Sequence, residues 1–458
     1  MVTAPRTIEV SAETSTPLSR ALAGARETKL LEIGWRVLNR LPAMAHRLFG
    51  RVPVMVVMDE NTEKAAGGRI LRELEHAGHL SRTPFVFRSP DLYAEHRFVT
   101  ELENVLQGHD AIPISVGAGT INDLVKLASF RQKRSYISVA TVASMDGYTA
   151  FGASITHNGS KQTFTCPAPS GVVADIETIC AAPVAMNSSG YADLLAKVTA
   201  GADWLLADAL GVESLVQEAW KIVQGGLREA VANPEGIVQR DRNVIGKLTE
   251  GLMLGGFAMQ RAQSSRPASG AEHQFSHLWD MQHHTHQGVA PSHGFKVGIG
   301  TLASAALYEF LLEQPLENMN CHSLAESMPD ANFMVDRARS IFGDSDLAEI
   351  ATLELRAKHP SRDDLREQLQ KLSGIWPDCR RGLRDQLLPF DELKRRLRLA
   401  GAPFEPEHIG ISRQRLRDSF WPAFSIRRRF TVLDVAVRTQ LLEPALAAIF
   451  GPGGHWPL

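Results

Sequence analysis

Short apolar runs alternate with amphipathic stretches through the first part of the chain. The first forty or so residues are polar and then helical in pattern. Residues 52–58, Val-Pro-Val-Met-Val-Val-Met, are apolar and rich in β-branched side chains, and they end on Asp59-Glu60-Asn61. That is the pattern of a buried parallel strand entering a polar turn. Residues 62–79 read as a helix. Residues 85–87, 111–116 and 136–140 read as further strands, with a helix over 124–130. Residues 154–165 predict a hairpin turning at Asn158-Gly159, and 172–176 a last strand. This alternation predicts an α/β, doubly wound, Rossmann-like domain over residues 1–182. Beyond Pro183 strand signals nearly vanish. Helical patterns cover 190–210, 212–232, 241–261 and 300–312, and charged helices follow from Asp346. The expectation is an all-α domain over residues 183–458.

Composition narrows the classes. A chain of 458 residues that is 44% hydrophobic and 22% charged is an ordinary globular protein with enough apolar surface for two large domains. Lys plus Arg is 49 against 51 for Asp plus Glu. That balance argues against nucleic acid as a partner. The basic stretches at 394–398 and 427–429 have acidic neighbours and read as solvated faces or subunit contacts. The four cysteines are scattered without zinc-finger or disulfide-framework spacing. The N-terminus shows no secretory pattern, and no apolar run reaches about 18 residues, so no membrane span is expected. The expected setting is cytoplasmic.

Histidine changes the picture. Six of the sixteen fall between His273 and His293. His273 and His277 lie four apart, on one helical face, a spacing that suits two ligands or one ligand and one acid/base group. His293 follows before a glycine and a helix. Asp193 and Lys197, also four apart, read either as a surface ion pair or as a ligand with its neighbour. Upstream, Gly117-Ala-Gly119-Thr120 follows a strand and opens a helix, which suits a diphosphate or a plain tight turn. Asp59 suits ribose hydroxyls or a helix N-cap. Thr141-Val-Ala-Ser144-Met-Asp146-Gly-Tyr148 suits a ligand crevice or a capped Asp-Gly turn.

Joined in order, these motifs become specific. Gly-x-Gly-Thr-x-x-Asp, Thr-x-x-Ser-x-Asp-Gly-Tyr, Ala-Asp-x-x-x-Lys, Arg-Pro-Ala-Ser-Gly-x-Glu-His-x-x-Ser-His and His-Gly-x-x-Val-Gly together resemble the sn-glycerol-1-phosphate dehydrogenase family. That family sits in the superfamily of glycerol dehydrogenase, iron-dependent alcohol dehydrogenases and dehydroquinate synthase. The resemblance runs from about Val52 to the C-terminus, and the segment 403–433 looks like the longer bacterial branch.

The resemblance implies a dehydroquinate synthase-like fold and reversible reduction of dihydroxyacetone phosphate by NAD(H) or NADP(H). It implies one divalent metal, zinc first and nickel second, on Asp193, His273 and His293. It implies cofactor contacts at Asp59, Gly117, Gly119, Thr120, Ile121, Asn122 and Asp123, and at Thr141, Val142, Ala143 and Ser144. Asp146 and His277 match substrate-side residues, and His277 or an ordered water relays the proton. Arg266 and Lys161 are the candidate cations for the substrate phosphate. The family's serine four residues after the aspartate of Asp-Gly-Tyr is Ala150 here, which removes a cofactor hydrogen bond. A homo-oligomer is expected. Glycerol dehydrogenase is the alternative on the same scaffold. The Asn-Phe-Gly-His signature of dehydroquinate synthase is absent, and a purely structural metal is the non-enzyme alternative.

Overall fold

Seven strands form one sheet in the order β1-β2-β9-β6-β5-β3-β4: β1 (Arg6–Ile8), β2 (Leu30–Gly34), β3 (Val54–Asp59), β4 (Phe85–Phe87), β5 (Ile112–Gly117), β6 (Ile137–Ala140) and β9 (Gly171–Asp175). The structure, a computed structural model, describes residues 6–8, 16–157 and 160–458. β1 pairs antiparallel with β2, and every other pairing in the sheet is parallel. β7 (Ala153–His157) and β8 (Ser160–Phe164) form a separate antiparallel hairpin. Its expected turn residues, Asn158 and Gly159, lie outside the described residues. The five residues of β3 before Asp59 are all apolar and all buried, as a parallel strand covered on both faces requires.

The N-terminal segment departs from its helical reading, because β2 is a strand. Leu31 and Ile33 are buried in it, and the Glu32 between them is buried too, held by Arg40 at 2.9 Å. A carboxylate at a central position hides the strand signal in the sequence. The helix expected over 62–79 is broken into Glu60–Thr62, a π turn at Glu63–Gly67 and Gly68–His76. The helix expected over 212–232 divides into Gln217–Gln224 and Leu227–Ala230 at Gly225-Gly226. The long helices Arg242–Ala262 and His293–Leu312 are present, the second beginning earlier than its pattern suggested.

The chain divides into two compact units. The sheet unit comprises Met1–Leu194, Gln217–Ser265 and Leu399–Gly401; the helical unit comprises Leu195–Val216, Arg266–Arg398 and Ala402–Leu458. The sheet unit therefore runs past Pro183 and takes in the Arg242–Ala262 helix. Thr149 Oγ1 donates to the Met253 carbonyl at 2.7 Å, and Gln260 donates to Thr28 and to the Thr149 carbonyl, fastening that helix to the loops. No strand follows β9 among the described residues. In the helical unit, His293–Leu312 is long and apolar enough to cross a membrane by length and composition alone. However, 83% of its apolar window is buried inside the protein, as in the central helix of a core.

Candidate active site

The connection from β3 to β4 runs one way across the sheet, and that from β5 to β6 runs the other. The sheet therefore reverses between β3 and β5. In open α/β sheets the crevice at the carboxyl ends of strands beside such a reversal takes nucleotides. β3 ends on Asp59, β5 on Gly117, and β6 just before Thr141, whose N–H bonds to the Gly117 carbonyl at 3.3 Å. The three candidate cofactor segments thus leave neighbouring strands at one edge.

Asp59 is a helix cap. Its Oδ1 accepts from the N–H groups of Asn61 and Thr62 at 2.9 and 2.8 Å, and Thr62 Oγ1 returns to the Asp59 N–H. Oδ2 takes no part in that cap, so one oxygen remains for a ribose. The Gly119–Arg131 helix opens at Ala118 with no side-chain cap. Its first-turn N–H groups are the kind of donor that a phosphate satisfies.

Beyond that first turn, the candidate side chains turn into the fold. Ile121 and Asn122 are buried. The Asn122 amide oxygen accepts from Ser138 and Tyr136, and its nitrogen donates to the Gly147 carbonyl. Asp123 accepts from the Ser154 N–H at 3.1 Å. Their side chains shape the loop from within.

Two residues that shape the same edge carry no motif. Lys126, fully buried, donates to the carbonyls of Gly147, Ala150 and Gly152 and so fixes the loop that carries Asp146. A lysine within the apolar run of its helix was the available signal. Asn187 accepts from the Ala143 N–H at 3.1 Å and donates to the Ile179 carbonyl, holding the Thr141–Ser144 backbone against the Val184–Leu195 helix. Gly190 of that helix lies so close that a Cβ would sit 1.8 Å from the Ala143 carbonyl oxygen. Asp146 packs against Gly255 of the Arg242–Ala262 helix.

Asp193, one residue from the boundary between the units, is fully buried, as is Lys197. That is not the setting of a surface ion pair. In the helical unit the rings of His273 and His293 lie with their centres 5.3 Å apart, and Asp193 is the third residue that the resemblance groups with them. One carboxylate and two imidazoles suit a single divalent ion of borderline softness, and three protein ligands leave positions open for a substrate. His277 lies one turn after His273, their ring centres 6.3 Å apart, and 6.4 Å from His293.

The helix carrying His273 and His277, Ala271–Met281, is anchored at its start. Asp203 accepts from the N–H groups of Ala271 and Val432, both at 2.7 Å, and from Tyr308 Oη at 2.6 Å. Burial, and then the nearby charge of Glu272, raise the Asp203 carboxyl to about 7. Glu272 goes the other way. Burial alone would raise it, but the hydrogen bond and charge of His273 and the Gly270 N–H hold it below the ordinary glutamate value.

Arg266 does not present a free guanidinium. It is buried, pairs with Glu213 at 2.9 Å, and donates to the carbonyls of Asp203 and Phe430 at 2.9 and 2.8 Å. It ties three segments of the helical unit together, where the expectation was a cation for the substrate phosphate. Lys161 stands in β8 opposite Thr156, and its side chain lies outside the described residues. Ala150 is buried, and its carbonyl accepts from Lys126.

Comparison with known proteins adds to this geometry. The family described as iron-containing alcohol dehydrogenase matches residues 32–183. The chain is 32% identical over 282 residues to a glycerol-1-phosphate dehydrogenase (NAD(P)+) of Halalkalibacterium halodurans, covering 61% of this chain and 70% of that protein. To the enzyme of the same name from Bacillus licheniformis it is 33% identical over 303 residues, covering 64% and 75%. The crystal structure of a probable glycerol dehydrogenase from Sinorhizobium meliloti superposes with a TM-score of 0.56 over 90% of this chain and 95% of that one, at 15% identity. At that identity the match shows a shared fold.

Proposed function

The chain belongs to the glycerol-1-phosphate dehydrogenase family, and on that premise we propose that it reduces dihydroxyacetone phosphate reversibly to sn-glycerol 1-phosphate with NADH or NADPH. The observation that carries the reading is the pair His273 and His293, ring centres 5.3 Å apart in the helical unit, with Asp193 as the third residue of the family's ligand set. It supports these three as ligands of a divalent ion, zinc or nickel, whose donor set a carboxylate and two imidazoles would complete. When bound, the metal polarises the substrate carbonyl and the nicotinamide supplies the hydride.

The chain's own residues bind, orient and move the proton. Asp59 Oδ2 accepts from ribose hydroxyls while Oδ1 keeps the cap. The first turn of the Gly119–Arg131 helix, with Gly117 and Thr120, receives the diphosphate. The segment Thr141 to Ser144 flanks the nicotinamide end. Asp146 accepts from a substrate hydroxyl. Reduction of the carbonyl requires one proton at its oxygen, which His277 would deliver directly or through a water. Lys161 is the proposed cation for the substrate phosphate. The enzyme is proposed to work in the cytoplasm as a homo-oligomer.

The test is NADH and NADPH oxidation with dihydroxyacetone phosphate beside dihydroxyacetone, followed by chiral analysis of the product. The expected result is a strong preference for the phosphorylated substrate and sn-glycerol 1-phosphate as product. Glycerol dehydrogenase activity is the second reading, favoured by one observation: Arg266 is engaged within the fold. Faster turnover of dihydroxyacetone than of its phosphate would establish that reading instead.

A further inference from the structure

Glu272 is fully buried, an unusual place for a carboxylate unless partners compensate it. Its partners are specific. Oε1 accepts from the Gly270 N–H and lies 2.8 Å from His273 Nδ1; Oε2 accepts from Thr199 Oγ1 at 3.0 Å. The carboxylate is thus held from two sides and aimed at the imidazole of its own neighbour. One turn later on the same helix, buried Ser276 places Oγ 3.5 Å from Nδ1 of His293. Both histidines of the proposed metal site therefore meet an oxygen at the same ring nitrogen. Both oxygens come from the helix Ala271–Met281.

We propose that Glu272, and more weakly Ser276, are positioning residues for the metal: they engage Nδ1 of His273 and His293 and so present Nε2 of each ring as the ligand atom. A neutral imidazole carries one N–H and one lone pair, and the nitrogen that is not donating its proton is the one that binds a metal. An oxygen acceptor at Nδ1 fixes both the tautomer and the ring plane. An ionised acceptor also makes the ring a stronger donor. The two histidines differ in this respect, since His273 faces a carboxylate and His293 a neutral hydroxyl at longer distance. His273 is accordingly the ligand whose strength the protein sets most firmly.

The competing account is that Glu272 only stabilises the helix. A carboxylate in the first turn favours the helix dipole, and the Gly270 N–H gives it a local partner. That account requires neither the His273 contact nor the Thr199 tether, and it predicts an effect on folding alone. The inference rests on the metal assignment above, and the experiment separates the two.

The full-length protein is stripped of metal and titrated with Zn²⁺ against a chromophoric chelator, for wild type, Glu272→Gln, Thr199→Val, Ser276→Ala and His273→Ala. Thermal unfolding of each metal-free form is recorded in parallel. Glu272→Gln should weaken Zn²⁺ binding about 10- to 100-fold while the metal-free protein unfolds near the wild-type temperature. Thr199→Val, which keeps the carboxylate and loosens it, should weaken binding several-fold; Ser276→Ala should weaken it by about two- to fivefold. Unchanged Zn²⁺ affinity in Glu272→Gln, or in Thr199→Val if the first variant does not fold, overturns the proposal. In that case a loss of binding in His273→Ala leaves the metal assignment standing. A wild type that retains no Zn²⁺ overturns both together.

Discussion

At the carboxyl ends of β3, β5 and β6 the sheet unit offers the first turn of the Gly119–Arg131 helix, which has no side-chain cap, and the Asp59 carboxylate. The helical unit offers the imidazoles of His273, His277 and His293. Ile121, Asn122 and Asp123, in the sheet unit, turn inward and shape a main-chain surface. His273, by contrast, is proposed as a ligand through its own side chain, and buried Glu272 lies against its Nδ1. The difference follows from what each region must hold. A dinucleotide offers phosphates and hydroxyls, which backbone donors can satisfy at low entropic cost. A metal ion needs a few strong donors at fixed positions, which only side chains with buried partners provide.

The sharpest way to break this comparison is to delete a side chain from each region. His273→Ala and His293→Ala should each remove stoichiometric metal and essentially all activity, because two remaining ligands make a poor site. Ile121→Val should leave activity within about twofold, since it trims a buried aliphatic contact at a cost of about 1 kcal/mol in stability. Elemental analysis beside steady-state kinetics checks both. Full metal occupancy in either histidine variant would mean the helical unit does not use its side chains as described.

Arg266 sharpens the contrast from the other side. Its position shortly before His273 suggested a substrate cation, yet it joins Asp203, Glu213 and Phe430 inside the helical unit. Arg266→Ala should cost about 2–3 kcal/mol of stability, below the ~3–5 kcal/mol of a fully buried pair because Glu213 is 31% exposed. It should harm phosphorylated and plain substrates alike. A selective loss on dihydroxyacetone phosphate would return Arg266 to the substrate.

Arg266 also marks what the sequence could and could not tell. The strands β3, β5 and β6 were legible, because runs such as 52–58 and 111–116 are apolar, short and closed by polar turns, whereas β2, with Glu32 at its centre, was not. The candidate metal ligands were named from joined motifs, since no single spacing among Asp193, His273 and His293 is diagnostic. Partners far apart in the chain were not legible. The Glu213 partner of Arg266 lies far upstream and Phe430 far downstream, and the Thr199 tether of Glu272 lies in another helix. Nor does a sequence say which way a side chain faces once its loop is placed, as Asn122 illustrates. Such facts belong to packing, which local pattern does not encode.

Each region also has a glycine at a close backbone approach that touches its candidate site, and the pair gives a third test. A Cβ on Gly190 would lie 1.8 Å from the Ala143 carbonyl oxygen, and one on Gly300 would lie 2.3 Å from that of Glu272. Alanine at either should cost about 1–3 kcal/mol of stability through overpacking. The functional consequences should differ. Gly190→Ala shifts the Thr141–Ser144 backbone and should raise the KM for the nicotinamide cofactor. Gly300→Ala presses on the helix that bears His273 and should weaken metal binding first. Chemical unfolding together with separate cofactor and metal titrations reads this out, and identical profiles for the two variants would erase the distinction.

The smallest expected effect concerns Asp59, the carboxylate proposed to meet the ribose of the cofactor. Asp59 caps a helix with Oδ1, and Oδ2 takes no part in that cap. Alanine would confound the two by removing a cap worth about 1 kcal/mol. Asparagine separates them, because it is as good an N-cap as aspartate but carries no charge. Asp59→Asn should therefore unfold like wild type while binding NADH more weakly by about 1 kcal/mol, roughly fivefold, the difference between a charge-assisted and a neutral hydrogen bond to the ribose. Isothermal titration with NADH and a denaturant curve on the same preparation decide it. Unchanged NADH affinity in Asp59→Asn would make the residue a cap alone, and the sheet unit would then hold its cofactor entirely through main-chain groups.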